Sequence, residues 1–314
     1  MAGAHLPPWL RRTHPIVRYE TRHWAQSRAW RSARYAVWGG SLTFILAPVA
    51  CSLLFALQSR FTSPAELILS LGGVFAVGLA LLSTLAVWFS NLSATVLGAS
   101  LIARERESQT WPFLRLTSLS SLDIAGGKLM ALFYTLIGPV QLITGLRLLA
   151  LAAGLVTLVL AYLASGLSAR EVIALFGPFF QQFGLTAAQW QGLALFAALG
   201  LLWAAISWLV EPFFGLLYYG VIALTMSTLA RSRGTAVVLV IAAHFVLALG
   251  VYAPVSQASS LLLAPLAATS SQDAALVYGS IIIVVQFVLQ TLLPWAVVAA
   301  CAAFTLRRIE ALND

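Results

Sequence analysis

The sequence predicts an all-α polytopic membrane protein with six core transmembrane helices, or up to eight spans. Three observations carry this. Of 314 residues, 61% are hydrophobic and only 9% charged, with a mean hydropathy of +0.92; soluble domains carry about 25% charged residues. Apolar runs near 20 residues long recur, each able to cross a hydrocarbon core about 30 Å thick. Short alternating strands, which a membrane barrel needs, are absent. The net charge of +8 does not indicate nucleic acid: seven of the 18 Lys and Arg residues lie at 11–34, ahead of the first apolar run. That is the flank expected of a membrane span on its cytoplasmic side.

The N-terminal arm, 1–35, mixes Arg11, Arg12, Arg18, Arg22, Arg28, Arg31 and Arg34 with Tyr19, Trp24, Trp30 and Tyr35. Arginines among aromatics suit an interfacial helix in the headgroup layer, although on a helical wheel these arginines do not share one face. A single transmembrane domain, 36–310, follows. Its first apolar run begins near Ala36, too late and too long for a cleaved signal peptide, and reads as a retained span over 36–58. A second runs over 66–90, with Gly72, Gly73 and Gly78 available for close helix packing.

The stretches 128–166 and 191–230 are apolar apart from Arg147 and from Glu211 beside Pro212. Each is about twice the membrane thickness as one helix. Each is either one long, kinked span with an extension or a hairpin of two short ones. Further spans fall near 235–253 and 278–305, with outer loops at 167–190, containing a short interfacial helix, and at 254–277. With six spans or eight, both termini, the 91–127 stretch and the Arg231–Arg233 turn share one side. That side holds 15 of the 18 Lys and Arg residues, so it is expected to be the cytoplasm.

The 91–127 stretch is the anomaly. Arg104, Glu105, Arg106 and Glu107 stand in a row, and Lys128, the chain's only lysine, follows. Residues 94–107 have helix-forming character and extend the second span. Thr110 and Pro112 predict a break and restart, giving a short helix over 111–117. Ser120-Ser121-Leu122-Asp123 has capping-box spacing and starts the next helix. The product is an elbow: helix out, short helix across, helix back. Paired-carboxylate catalysis is disfavoured, since Glu105 and Glu107 point about 200° apart on a helix. The alternative is a solvated loop with self-compensating charges.

These residues carry a family resemblance. The run Glu105, Arg106, Glu107, Thr110, Leu114, Leu116, Thr117, Leu119, Ile124, Gly127, Lys128 and Leu129 resembles, in order, the signature of type 2 ABC exporter permeases. His14-Pro15-Ile16-Val17-Arg18-Tyr19-Glu20 is similar to that family's N-terminal segment. Ser227-Thr228-Leu229-Ala230-Arg231-Ser232-Arg233 is similar to its turn between the fourth and fifth spans. Trp111-Pro112 departs from the usual leucine-acid pair.

The resemblance implies a non-enzymatic permease subunit in a prokaryotic inner membrane, both termini cytoplasmic. It binds no cofactor or metal itself; ATP and Mg belong to a separate cytoplasmic ABC ATPase. The expected partners are that ATPase, a second permease copy or homologue, and membrane lipids, with no nucleic acid. Consistent with this, Gly126-Gly127-Lys128 is not a phosphate-binding loop, lacking the upstream glycine and the following hydroxyl. The 101–123 elbow becomes a coupling helix. Arg104, Glu105, Arg106, Glu107, Thr110 and Arg115 are the expected polar contacts, and Trp111 and Phe113 the apolar ones. A non-transport scaffold or accessory subunit descended from such a permease is the competing function.

Elsewhere, Arg147 and Glu211 are expensive at membrane depth unless paired. They pair, line a path, or mark hairpin tips. His244 reads as a helix-packing histidine, and Cys51 and Cys301, each in an apolar run without a CxxC neighbour, as small hydrophobes. Trp203, Trp208, Tyr218 and Tyr219 face lipid, neighbouring helices or a lipid-like substrate.

Overall fold

The computed structural model describes residues 7–26, 50, 63–117, 119–166, 187–254, 257 and 272–312. The expected first span, the arm beyond Gln26, most of the 167–190 segment and most of the 254–277 loop lie outside these residues. Among the described residues every regular element is helical. A single 3₁₀ turn, Pro8–Leu10, precedes α1 (Pro15–Gln26). Then come α2 (Pro64–Glu107), α3 (Trp111–Arg115), α4 (Ser121–Ser165), α5 (Ala187–Leu229), α6 (Arg233–Leu247) with a π turn at Ala248–Tyr252, and α7 (Gln272–Ala311). Five of them are long and apolar enough to cross a membrane, which makes this an integral membrane protein.

The second span and the helix leaving it are one element. At 44 residues, α2 extends about 66 Å, well beyond a hydrocarbon core of about 30 Å. The two long apolar stretches are likewise single helices of 45 and 43 residues. No turn interrupts either, so the hairpin reading of each stretch is corrected. A hairpin tip needs a run of turn-forming polar residues, and besides Pro139 and Pro212 the two stretches carry only isolated polar side chains such as Arg147 and Glu211. Pro139 and Pro212 each remove one i→i−4 hydrogen bond without ending the helix.

The chain forms two compact units, and two of the four boundaries between them fall at those prolines. One comprises 1–27, 90–138 and 213–314; the other comprises 28–89 and 139–212.

In the first unit, small residues let helices approach closely. Ala99 and Ala103 of α2 meet Ala223 of α5 and Ala236 and Val240 of α6 in one buried cluster. A Cβ on Gly98 would lie 2.7 Å from that of Ala223, so only glycine permits this α2–α5 contact. Thr225 of α5 and Thr305 of α7 share a hydrogen bond of 2.8 Å. In the second unit, Leu79 packs with Leu146 and Ala150, flanked by Phe75 and Trp208. Gly72 there leaves room for the side chain of Thr157.

Candidate functional site

The elbow forms because each helix end is satisfied locally. At the end of α2 the Gln109 amide donates to the Arg106 carbonyl at 3.3 Å, and the Thr110 amide to the Glu105 carbonyl at 2.9 Å. These are the paired bonds of a Schellman cap. Its left-handed position, usually glycine, is held by Gln109 at φ 59°. The short helix α3 restarts with Pro112 in its first turn. Before α4, the Asp123 amide donates to Ser120 Oγ at 3.1 Å, while the Ser120 amide donates to Asp123 Oδ2 at 3.3 Å. That is a reciprocal capping box.

What holds the elbow is a buried ionic centre. Lys128 and Glu20 are fully buried, and Arg104 and Glu105 nearly so. Lys128 Nζ donates to Glu20 Oε1 at 2.9 Å, Glu105 Oε1 at 2.6 Å and the Leu101 carbonyl at 2.9 Å. All three ammonium protons are thereby used. Arg104 Nη2 donates to Glu20 Oε2 at 2.7 Å. Two acids and two bases cancel, as buried charges require. Burial pushes the Glu20 carboxyl up, but Lys128 and Arg104 outweigh it and hold the group below the usual carboxylate range.

Glycines bring the acid to its partners. A Cβ on Gly126 would lie 2.7 Å from the indole of Trp9, and one on Gly127 would lie 3.1 Å from His14 Nδ1. The bare backbone at the start of α4 therefore lets the arm lie flush against it. Ile16 packs at Gly127, and with Val17 and Trp24 it forms the buried face of α1, while Arg18, Tyr19, Arg22 and His23 are exposed. Tyr134 Oη donates to the Leu10 carbonyl at 2.9 Å, fixing the arm's first turn.

The second lock is the α5–α6 turn. Arg106 Nη1 donates to the carbonyls of Thr228 and Ala230 at 3.0 and 2.8 Å, a cation on a helix C-terminus. Ser227 Oγ accepts from the backbone amides of Ile102 and Ala103, both at 2.9 Å. Glu107 approaches Arg233 Nε at 3.4 Å. Both partners of that last pair are about half exposed, so it contributes little.

The expected contacts of the elbow thus separate by direction. Arg104, Glu105 and Trp111 point inward, Trp111 being 6% exposed. Arg106 is spent on α5, and Glu107 and Thr110 lie at the surface. Phe113 is 70% exposed and Leu116 83% exposed; together they form the outward tip. The side chain of Arg115 lies outside the described residues. Charge reversal at Glu105 is therefore a perturbation of the fold rather than of a surface. Glu20 and Ser227 lie in segments that carry the resemblance, but the sequence assigned them no contact, although a lone acid in an arginine-rich arm and a lone lysine after two glycines were the available signal.

In the second unit, Arg147 Nη2 lies 2.8 Å from Glu211 Oε2. Its guanidinium sits 4.7 Å from the Trp208 ring centroid and also donates to the Trp208 carbonyl. Pairing, stacking and a backbone acceptor together offset the desolvation of a fully buried arginine. His244 stacks on Tyr219 at 4.7 Å, and its Nδ1 lies 2.7 Å from the Val240 carbonyl, a packing arrangement. No family model, curated protein or solved structure matches the chain.

Proposed function

We propose that this chain is the membrane-spanning permease subunit of an ATP-driven exporter of the type 2 ABC class. The observation that supports this best is the braced elbow. A short transverse helix carries an exposed apolar tip, Phe113 and Leu116. The charges of Arg104, Glu105 and Arg106 beside it are tied into α1, α4 and the end of α5 rather than left to solvent. A solvated loop has no need of such bracing. A lever does, because force applied at the tip reaches the packed helices only through a rigid connection. The 314 residues contain no G-x-x-x-x-G-K-[ST] run, and in this reading a cytoplasmic ABC ATPase supplies the hydrolysis.

In this reading Phe113 and Leu116 seat in the ATPase, with Glu107 and Thr110 beside them. Glu20, Arg104, Glu105 and Lys128 transmit the displacement. The experiment is co-expression with candidate ABC ATPases from the same genome, followed by co-purification and ATPase assay in proteoliposomes. Phe113→Asp with Leu116→Asp is expected to abolish co-purification while the protein still inserts and melts normally. Co-purification and ATPase stimulation at wild-type levels in that variant would remove the lever. Recovery of the wild-type chain with other membrane subunits and no ATPase would favour a scaffold.

A further inference from the structure

Helix α1 has a second face that the ionic centre does not use. Thr13, Pro15, Arg18, Tyr19, Arg22 and His23 line an open cleft of about 580 Å³. Arg18 and Arg22 are one helical turn apart, so their guanidiniums project from the same side. The Tyr19 and His23 rings stack beside them, with centroids 6.4 Å apart and planes inclined by 19°. Among the described residues neither arginine has an acidic partner, and the arm's one carboxylate, Glu20, is turned inward onto Lys128 and Arg104. The cleft is therefore a concentration of cationic donors without a counter-ion among the described residues.

We infer that this cleft binds the phosphate headgroup of an anionic phospholipid. Two adjacent guanidiniums supply planar forks that match phosphate oxygens bidentately, and the Thr13 and Tyr19 hydroxyls add neutral donors. The choice of a lipid rests on position. The arm is fastened to the start of a membrane-spanning helix by Trp9 on Gly126 and by Tyr134 on Leu10. It carries the tryptophan and tyrosine side chains typical of the membrane–water boundary. Anionic headgroups are the phosphates that border the cytoplasmic face of a membrane, the face to which the arm's arginines assign it. The inference does not rest on the transport reading and holds equally for a scaffold.

The test titrates the full-length protein in a neutral detergent with short-chain phosphatidylglycerol, short-chain phosphatidylcholine, inorganic phosphate or a polyglutamate peptide. Binding is read as saturable thermal stabilisation and, by native mass spectrometry, as lipid retained per chain. The wild type is expected to bind phosphatidylglycerol saturably and phosphatidylcholine weakly. Each arginine at an anionic surface contributes about fivefold in binding, so Arg18→Gln with Arg22→Gln is expected to weaken it about 25-fold. Both side chains are exposed, so the variant keeps the wild-type circular dichroism and melting temperature in the absence of lipid. Arg231→Gln with Arg307→Gln removes the same charge elsewhere and is expected to leave binding unchanged. Equal weakening in the two variants would mean diffuse surface charge and overturn the site. So would stabilisation by inorganic phosphate equal to that by lipid, tighter binding of the acidic peptide, or no saturable phosphatidylglycerol binding.

Discussion

Replacing Lys128 by methionine isolates the electrostatic core of the elbow. Methionine approximates the length and volume of the lysine stem, so packing changes little. Glu20 and Glu105, however, lose the ammonium that both contact. The two oxygens lie 2.9 and 2.6 Å from one ammonium nitrogen and so no more than about 5.5 Å apart; at an effective dielectric of 20 such a pair repels by about 3 kcal/mol. Breaking a buried ion pair by removing one partner costs about 3–5 kcal/mol in measured cases. For a chain of this size each kcal/mol lowers the melting temperature by about 2–4 °C, so Lys128→Met is expected to fall by on the order of 10 °C. The assay is thermal unfolding of the purified protein in one detergent at neutral pH. The decisive comparison is Lys128→Met with Glu105→Gln, which removes one stranded carboxylate and leaves Glu20 paired with Arg104. It is expected to recover at least half of the loss. A double variant as unstable as the single one, or less stable, would refute an electrostatic origin and place the loss in packing or in the Leu101 hydrogen bond.

Two further outcomes follow from the backbone. Gly126→Val drives a side chain into the ring of Trp9 and is expected to detach the arm, with trypsin cleaving at Arg11, Arg12 and Arg18 at least tenfold faster; unchanged digestion would separate the arm's seat from the glycine. Gln109→Gly relieves a left-handed residue, which costs about 1–2 kcal/mol in non-glycine residues, against about 0.5–1 kcal/mol of added glycine entropy. The net expectation is a melting temperature about 2 °C higher, with slower exchange of the Thr110 amide; a lower melting temperature would show that the Gln109 side chain itself supports the turn.

By itself the sequence determined the membrane character, the break at Thr110–Pro112 and the restart at Ser120–Asp123. Each follows from composition or from a few contiguous residues: apolar length, a proline's place in a first turn, a hydroxyl three residues before an acid. The opposite directions of Glu105 and Glu107 were legible too, since helix geometry fixes them; one meets Lys128 and the other Arg233. Whether 128–166 and 191–230 were helices or hairpins was not legible, because an apolar run reads alike in either form. The structure decides for single helices containing Pro139 and Pro212. Nor could local pattern show which charges of the Arg104–Glu107 run face water. That depends on partners between 23 and 126 residues away, Glu20, Lys128, Thr228, Ala230 and Arg233. Tertiary packing alone brings these together, turning the charges of Arg104 and Glu105 inward as a brace and leaving Phe113 and Leu116 as the exposed tip.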